Sequence, residues 1–295
     1  MATRRWLAYA ALIVSVLGIT WSAVFVRWAA VSGPASAFYR VLIAAAVLLP
    51  WRAMRGDLPW PSRRVLWLAV AGGAFFGFDL LFFNTAVLRT SGATAVMLGN
   101  NAPVFVGLGT WLFFHRRPPA AFWYGLALAL TGCAGIVAAD TLSHENVAIG
   151  DVTGDLLALT ASVFFAGYLM TTERVRADVD TLTFSTFAVI GSVVTLLVIC
   201  LAMKVPLTGY SVQSWASLVG LSLISQLTAY FAIVYALGHL SATVTSVGLL
   251  AQVPLTALLF VPLLGEPLNA AQLGGGALVL AGIFVVNRAP ALKNR

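Results

Sequence analysis

Two ionisable side chains fall near the middle of long apolar runs, Arg40 and Asp79. A charge held at that depth needs a counter-charge, a proton or a ligand, because an isolated ion in low dielectric is strongly disfavoured. For Asp79 two readings stay open. It pairs with Arg40 and holds helices together, or it binds a substrate amine or a proton. Arg40 reads as structural. Uncharged polar groups give further candidates. Asn100 and Asn101 stand just before Pro103, and Gln252 stands before Pro254 about 150 residues later. A proline frees the carbonyl four residues before it, here those of Gly99 and Leu250. Freed carbonyls beside side-chain amides make hydrogen-bond partners for a zwitterion, although such amides also simply join helices, at about 0.6–2 kcal/mol each. Their recurrence favours a cavity lining, with Gly99, Pro103 and Pro254 as the helix breaks. Phe78 adjoins Asp79, Tyr230 falls near the matching place, and Trp21 and Phe165 correspond to one another, with Tyr168 one turn beyond. Aromatics in membranes mostly pack or anchor, but several beside the amides suit an apolar or aromatic ligand.

Other chemistries lack their residues. Cys133 and Cys200 lie in apolar runs without an activating neighbour, and His115, His144 and His239 are far apart, so no metal site or cofactor is expected. Gly73-xxx-Gly77 and Gly274-Gly275-Gly276 read as close-packing contacts, since a phosphate cradle needs a preceding strand. An enzyme would need converging acid–base or metal groups, and Asp79 has no such companion, so none is expected.

The elements that must position these residues follow from composition. Charged residues make up 9% of the 295 and hydrophobic residues 60%. Mean hydropathy is +0.94. Too little polar surface is left to cover a soluble globule, which excludes a soluble enzyme, a nucleic-acid binder and a disordered chain. Thr3-Arg4-Arg5-Trp6-Leu7 faintly resembles a twin-arginine signal, but the uncharged run from Trp6 to Val26 is longer than a cleavable core of about 7–15 residues. It reads as an anchor that stays. A helix needs about 20 apolar residues to cross a bilayer. Ten candidates result, at 6–27, 33–51, 65–88, 91–114, 120–139, 153–172, 181–203, 212–237, 241–264 and 267–287. With the N-terminus inside, 13 of the 17 Lys and Arg fall in cytoplasmic segments, only Arg27, Arg89 and Lys204 fall opposite, and Arg40 lies within a span. The longest opposite loop carries Asp140, Glu145 and Asp151. That asymmetry predicts ten spans with both termini cytoplasmic.

The second half repeats the first. Leu81–Val87, Thr90–Val96 and Asn100–Val104 are echoed by Tyr230–Tyr235, Ser241–Thr245 and Ala251–Leu255, and each proline is followed by two glycines seven apart, Gly125/Gly132 and Gly275/Gly282. Each half has five spans, an odd number, so the halves run in opposite orientations, the arrangement of secondary transporters with a midplane site. The fold class is therefore all-α and integral to the membrane, ten transmembrane helices as two inverted five-helix repeats, over 1–145 and 146–295. These tracts, with the closing Leu264-Gly265-Glu266-Pro267, resemble the two EamA-type halves of the drug/metabolite transporter superfamily. The resemblance covers about residues 6 to 287, and within the superfamily the chain resembles aromatic amino acid exporters of the YddG type. It departs from the pattern where His115-Arg116-Arg117 stands in place of the acid found in the second half as Glu266, which reads as a helix-start feature.

The resemblance implies a secondary transporter in a bacterial inner membrane, exporting small amphipathic metabolites, with aromatic and other apolar amino acids first, by alternating access. The alternatives are a channel and an exporter of other metabolites or drugs. No ATP-binding motif is present, so gradients drive transport. The expected partners are a small-molecule substrate and membrane lipid, no nucleic acid is expected, and a monomer is the expected state. The expected substrate-binding residues are Trp21, Phe78, Asp79, Asn100, Asn101, Phe165, Tyr168, Tyr230 and Gln252.

Overall fold

The computed structural model describes residues 2–56, 60–90, 92–143, 151–256, 258 and 270–288. Glu266 and the tract 264–267, with His144 and Glu145, lie outside them. Every regular element among the described residues is helical. Nine described helices are long and apolar enough to cross a membrane, and Ala242–Thr256 is a tenth, shorter apolar helix. The protein is an all-α membrane protein whose ten spans form two inverted five-span halves.

The helix starts follow from local chemistry. Ser62, Asp151, Asp180, Ser211 and Ser241 each accept a hydrogen bond from a backbone N–H two or three residues ahead, at 2.9–3.4 Å. Such caps satisfy amide donors that a helix leaves free at its beginning. The second span, Gly33–Met54, opens on Pro34, whose missing N–H costs nothing in a first turn.

Four of the spans are interrupted within the described residues. The first divides at Trp21 into Ala2–Thr20 and Ser22–Ala29. The fourth divides at Asn100–Asn101 into Gly92–Gly99 and Ala102–Phe114, immediately before Pro103. The ninth turns at 250–251, before Pro254, after the helix Ala242–Leu249. These two breaks sit where the missing proline N–H removes a rung of the ladder. The eighth widens into π-helical turns over Leu221–Tyr230, between Val212–Gly220 and Phe231–Leu237. Ser222 Oγ donates to the Arg40 carbonyl at 2.8 Å and Ser225 Oγ to the Gly18 carbonyl at 2.9 Å, pinning the wide turns to the second and first spans. Non-α turns inside a helix concentrate at functional sites.

The two halves interlock. The third span, Arg63–Arg89, packs on the sixth (Val152–Val175) and seventh (Thr181–Ala202), while the eighth packs on the first and second. The fifth (Ala120–Ser143) and tenth (Ala270–Arg288) form their own pair. Their backbones meet at glycines: a Cβ on Gly125 would lie 2.7 Å from the Gly282 carbonyl oxygen, and one on Gly132 would lie 2.5 Å from that of Gly275. The glycine pairs visible as a repeated spacing are thus one antiparallel crossing. In lipid, where apolar surface gains little by leaving the solvent, close backbone approach is what joins helices.

Candidate functional site

The interlocked halves enclose a cavity of ≈ 50 Å³, room for about four waters, lined from both halves. Arg40 and Asp79 both face it. Arg40 is 1% exposed and Asp79 6%. The guanidinium is held on three sides. Nε donates to Gln226 Oε1 at 3.0 Å, Nη1 donates to Ser22 Oγ at 2.8 Å, and the group lies 5.0 Å over the Tyr230 ring. Its Nη2 is buried without a partner. Asp79 makes no hydrogen bond or ion pair within 4.0 Å among the described residues. The two groups share a space and act on one another electrostatically without direct contact. A free guanidinium N–H and a free carboxylate are complementary to a carboxylate and an ammonium respectively, and planar guanidinium groups suit carboxylates.

The expected residues divide into two groups. Asp79, Asn100, Phe165, Tyr230 and Gln252 line the cavity, as do Gly99 and Pro103. Gln252 Nε2 donates to Asn100 Oδ1, so the repeat-related amides join the two broken spans, and Asn100 Nδ2 donates to the Val96 carbonyl at 2.6 Å. The others do not reach the cavity. Phe78 stacks with Phe82 and Phe164, at ring distances of 6.3 and 5.1 Å. One residue along a helix is a rotation of about 100°, so with Asp79 turned inward its neighbour faces elsewhere. Asn101 turns back on its own helix end, donating to the Met97 and Leu98 carbonyls at 3.3 and 3.0 Å. Trp21 sits at the turn in the first span, against Phe25. Tyr168 packs on Phe76 at 4.8 Å and lines a neighbouring hollow of ≈ 20 Å³ with Ser185 and Gln226. Pro254 lies toward Gly276 of the tenth span.

Ser22 and Gln226, which orient Arg40, were not anticipated. A partial signal was present: Ser222, Gln226 and Tyr230 recur every four residues, although Ser225 and Thr228 stand between them.

The two ends of the bundle differ. At the end opposite the N-terminus, Arg89 pairs with Asp151 at 3.6 Å, Thr90 Oγ1 donates to Asp155 at 2.8 Å, and Arg27 reaches the Thr90 carbonyl at 3.3 Å. These contacts tie the first, third and sixth spans together. At the N-terminal end the fourth, sixth and ninth spans diverge around a larger polar cavity of ≈ 210 Å³.

Residues 5–138 match the EamA-like transporter family, and residues 152–288 match it again. The chain belongs to the EamA-like transporter family. It is therefore a membrane transporter. An uncharacterized transporter of Bacillus subtilis (strain 168), YwfM, is 32% identical over 219 residues, 71% of this chain and 69% of that protein. A probable terminal-alkyne amino-acid exporter of Streptantibioticus cattleyicolor is 28% identical over 246 residues, 83% of this chain and 78% of that one. A solved crystal structure shares the fold of this transporter with a TM-score of 0.75 at 20% identity, covering 97% of this chain and all of that one.

Proposed function

We propose that this transporter exports zwitterionic metabolites, aromatic and other apolar amino acids foremost, from the cytoplasm of a bacterial cell. The observation that carries the reading is the pair of unspent charges on one cavity wall. Arg40 Nη2 has no hydrogen-bond partner, Asp79 lies within electrostatic range of Arg40 but outside ion-pair contact, and both line the same space. A substrate carboxylate satisfies the first and a substrate amine the second, so the zwitterion completes the network. Phe83, Phe165 and Tyr230 supply apolar surface for the side chain. Polyamines would want several carboxylates and nucleotide sugars a basic cluster, and neither surrounds this cavity. The amino-acid exporter among the relatives supports the same substrate class. Asn100 and Gln252, joined across the breaks in the fourth and ninth spans, are placed to exchange partners as the halves rock. The proposed units are 1–145 and 146–295, with the basic residues placing both termini in the cytoplasm.

Purified protein in proteoliposomes, preloaded with one unlabelled compound and offered a labelled one, tests the function. Phenylalanine and leucine should show saturable, counterflow-accelerated uptake, and sugars and polyamines none. Exchange of sugars or polyamines without amino acids would overturn the reading, and non-saturating flux would make the protein a channel. Orientation is checked by maleimide labelling, which should reach Thr208→Cys from outside and Arg55→Cys only after permeabilisation.

A further inference from the structure

We infer that the polar cavity at the N-terminal end is a loading station, a second site that takes the carboxylate of the same zwitterion before it enters the central cavity. The inference rests on the central-site reading for the identity of the ligand. Three helices line both cavities. Along the sixth span Phe165 faces the centre and Met170 the vestibule. Along the ninth Ser246 faces the centre and Thr243 the vestibule, and along the fourth Pro103 gives way to Thr110. At about 1.5 Å per residue these steps are roughly 5–10 Å toward the N-terminal face. The fourth and sixth spans carry Val106 and Leu169 between those levels, both fully buried in one apolar cluster. By level along their helices, these apolar residues stand between the two cavities.

The lining of the vestibule suits an amino acid. Glu173 is fixed by the Ala242 N–H at 2.9 Å, and Arg116 lies within its electrostatic reach. Arg174 is the second cation of the wall, and Met170 and Phe114 give it an apolar side. Among the described residues, neither the Arg116 nor the Arg174 guanidinium makes a hydrogen bond or ion pair. Two cations free of hydrogen bonds and ion pairs against one anchored acid give a net positive wall, which draws carboxylates and tolerates the amine at Glu173. Arg116 stands in the His115-Arg116-Arg117 tract, where the sequence departs from the other half. At the opposite end Arg89–Asp151 and Thr90–Asp155 hold the third and sixth spans together.

The test uses Thr243→Cys in the full-length protein, since the native cysteines are buried. From the N-terminal face, an anionic methanethiosulfonate should modify the introduced thiol faster than a cationic one. Phenylalanine should protect it, and phenylethylamine, which lacks the carboxylate, should protect it poorly. Arg116→Gln and Arg174→Gln should each lower the anion preference roughly two- to fivefold, the scale of exposed charge interactions. Together they should raise KM for phenylalanine from the N-terminal face more than from the opposite face. Melting temperatures of the variants confirm that they fold. Protection without transport would leave the station standing and sink the central-site reading. Equal reagent rates with no protection, or a KM change equal from both faces, would overturn the station.

Discussion

Gly132→Ala perturbs the crossing of the fifth and tenth spans at one of its close backbone approaches. The added Cβ would lie 2.5 Å from the Gly275 carbonyl oxygen and 2.8 Å from the Val279 nitrogen, short of the 3.4 Å of ordinary contact by about 0.9 Å in the first case. Both neighbours are backbone, so no side chain can swing aside and the helices must part. Overpacking of this kind costs about 1–3 kcal/mol. Alanine recovers about 0.5–1 kcal/mol as the better helix former, leaving a net loss of about 1–2 kcal/mol. Gly135, three residues further on the same helix, has nothing within 4 Å of its Cβ position, so Gly135→Ala keeps only the gain. The two substitutions are chemically identical and should have opposite signs. Thermal unfolding in detergent should put Gly132→Ala several degrees below wild type and Gly135→Ala level or slightly above it. Gly275→Ala disturbs the same contact, so the Gly132/Gly275 double variant should lose less than the two single losses together. Equal melting temperatures for Gly132→Ala and Gly135→Ala would refute the close crossing.

Asp79→Asn should melt within about 1 kcal/mol of wild type but lose its preference for amines, because Arg40 is already held by Gln226, Ser22 and Tyr230. A loss of about 3–5 kcal/mol, the signature of a broken buried pair, would make Asp79 structural instead. Phe165→Ala should change KM or substrate preference with modest effect on melting, whereas Phe78→Ala, which removes a ring from the Phe82–Phe164 stack, should lower melting and leave substrate preference alone. The reverse assignment would show that the cavity wall is misplaced. Asp180 caps the seventh span at its N-terminal-face end. Burial pushes its carboxyl upward, but hydrogen bonds from the Thr183 hydroxyl and amide outweigh this and hold it below the ordinary carboxylate range. A depressed carboxyl stabilises fully above its unfolded value of about 4 and loses that contribution as pH falls through the folded value. The melting difference between wild type and Asp180→Ala should therefore be present at pH 6 and shrink below pH 4, and a constant difference would contradict the assignment.

The spans were legible because a bilayer imposes a length, and uninterrupted apolar runs of that length are hard to mistake. The breaks at Asn100–Asn101 and 250–251 were legible too, since Pro103 and Pro254 each remove a backbone donor at a fixed place. Azimuth was not. Depth along a helix follows from residue number, but the direction a side chain faces depends on which neighbour the helix meets. Phe78 and Asp79 share a depth and point apart, and Asn100 reaches across to Gln252 while Asn101 folds back on its own helix. The cradle of Arg40 was hidden for a related reason. The wide turns at 221–230 depend on tertiary anchors, Ser222 on the Arg40 carbonyl and Ser225 on the Gly18 carbonyl, which no local pattern records.

The central claim is that one cavity reads both ends of a zwitterion, and competition against labelled phenylalanine counterflow tests it most directly. Phenylalanine presents carboxylate and amine together, 3-phenylpropionate only the carboxylate, and phenylethylamine only the amine. In wild type, neither single-charge analogue should compete well. Asp79→Asn should make 3-phenylpropionate a better competitor relative to phenylalanine, and Arg40→Gln should do the same for phenylethylamine. Competition by phenylethylamine as strong as by phenylalanine in wild type, with no change in Arg40→Gln, would contradict the account.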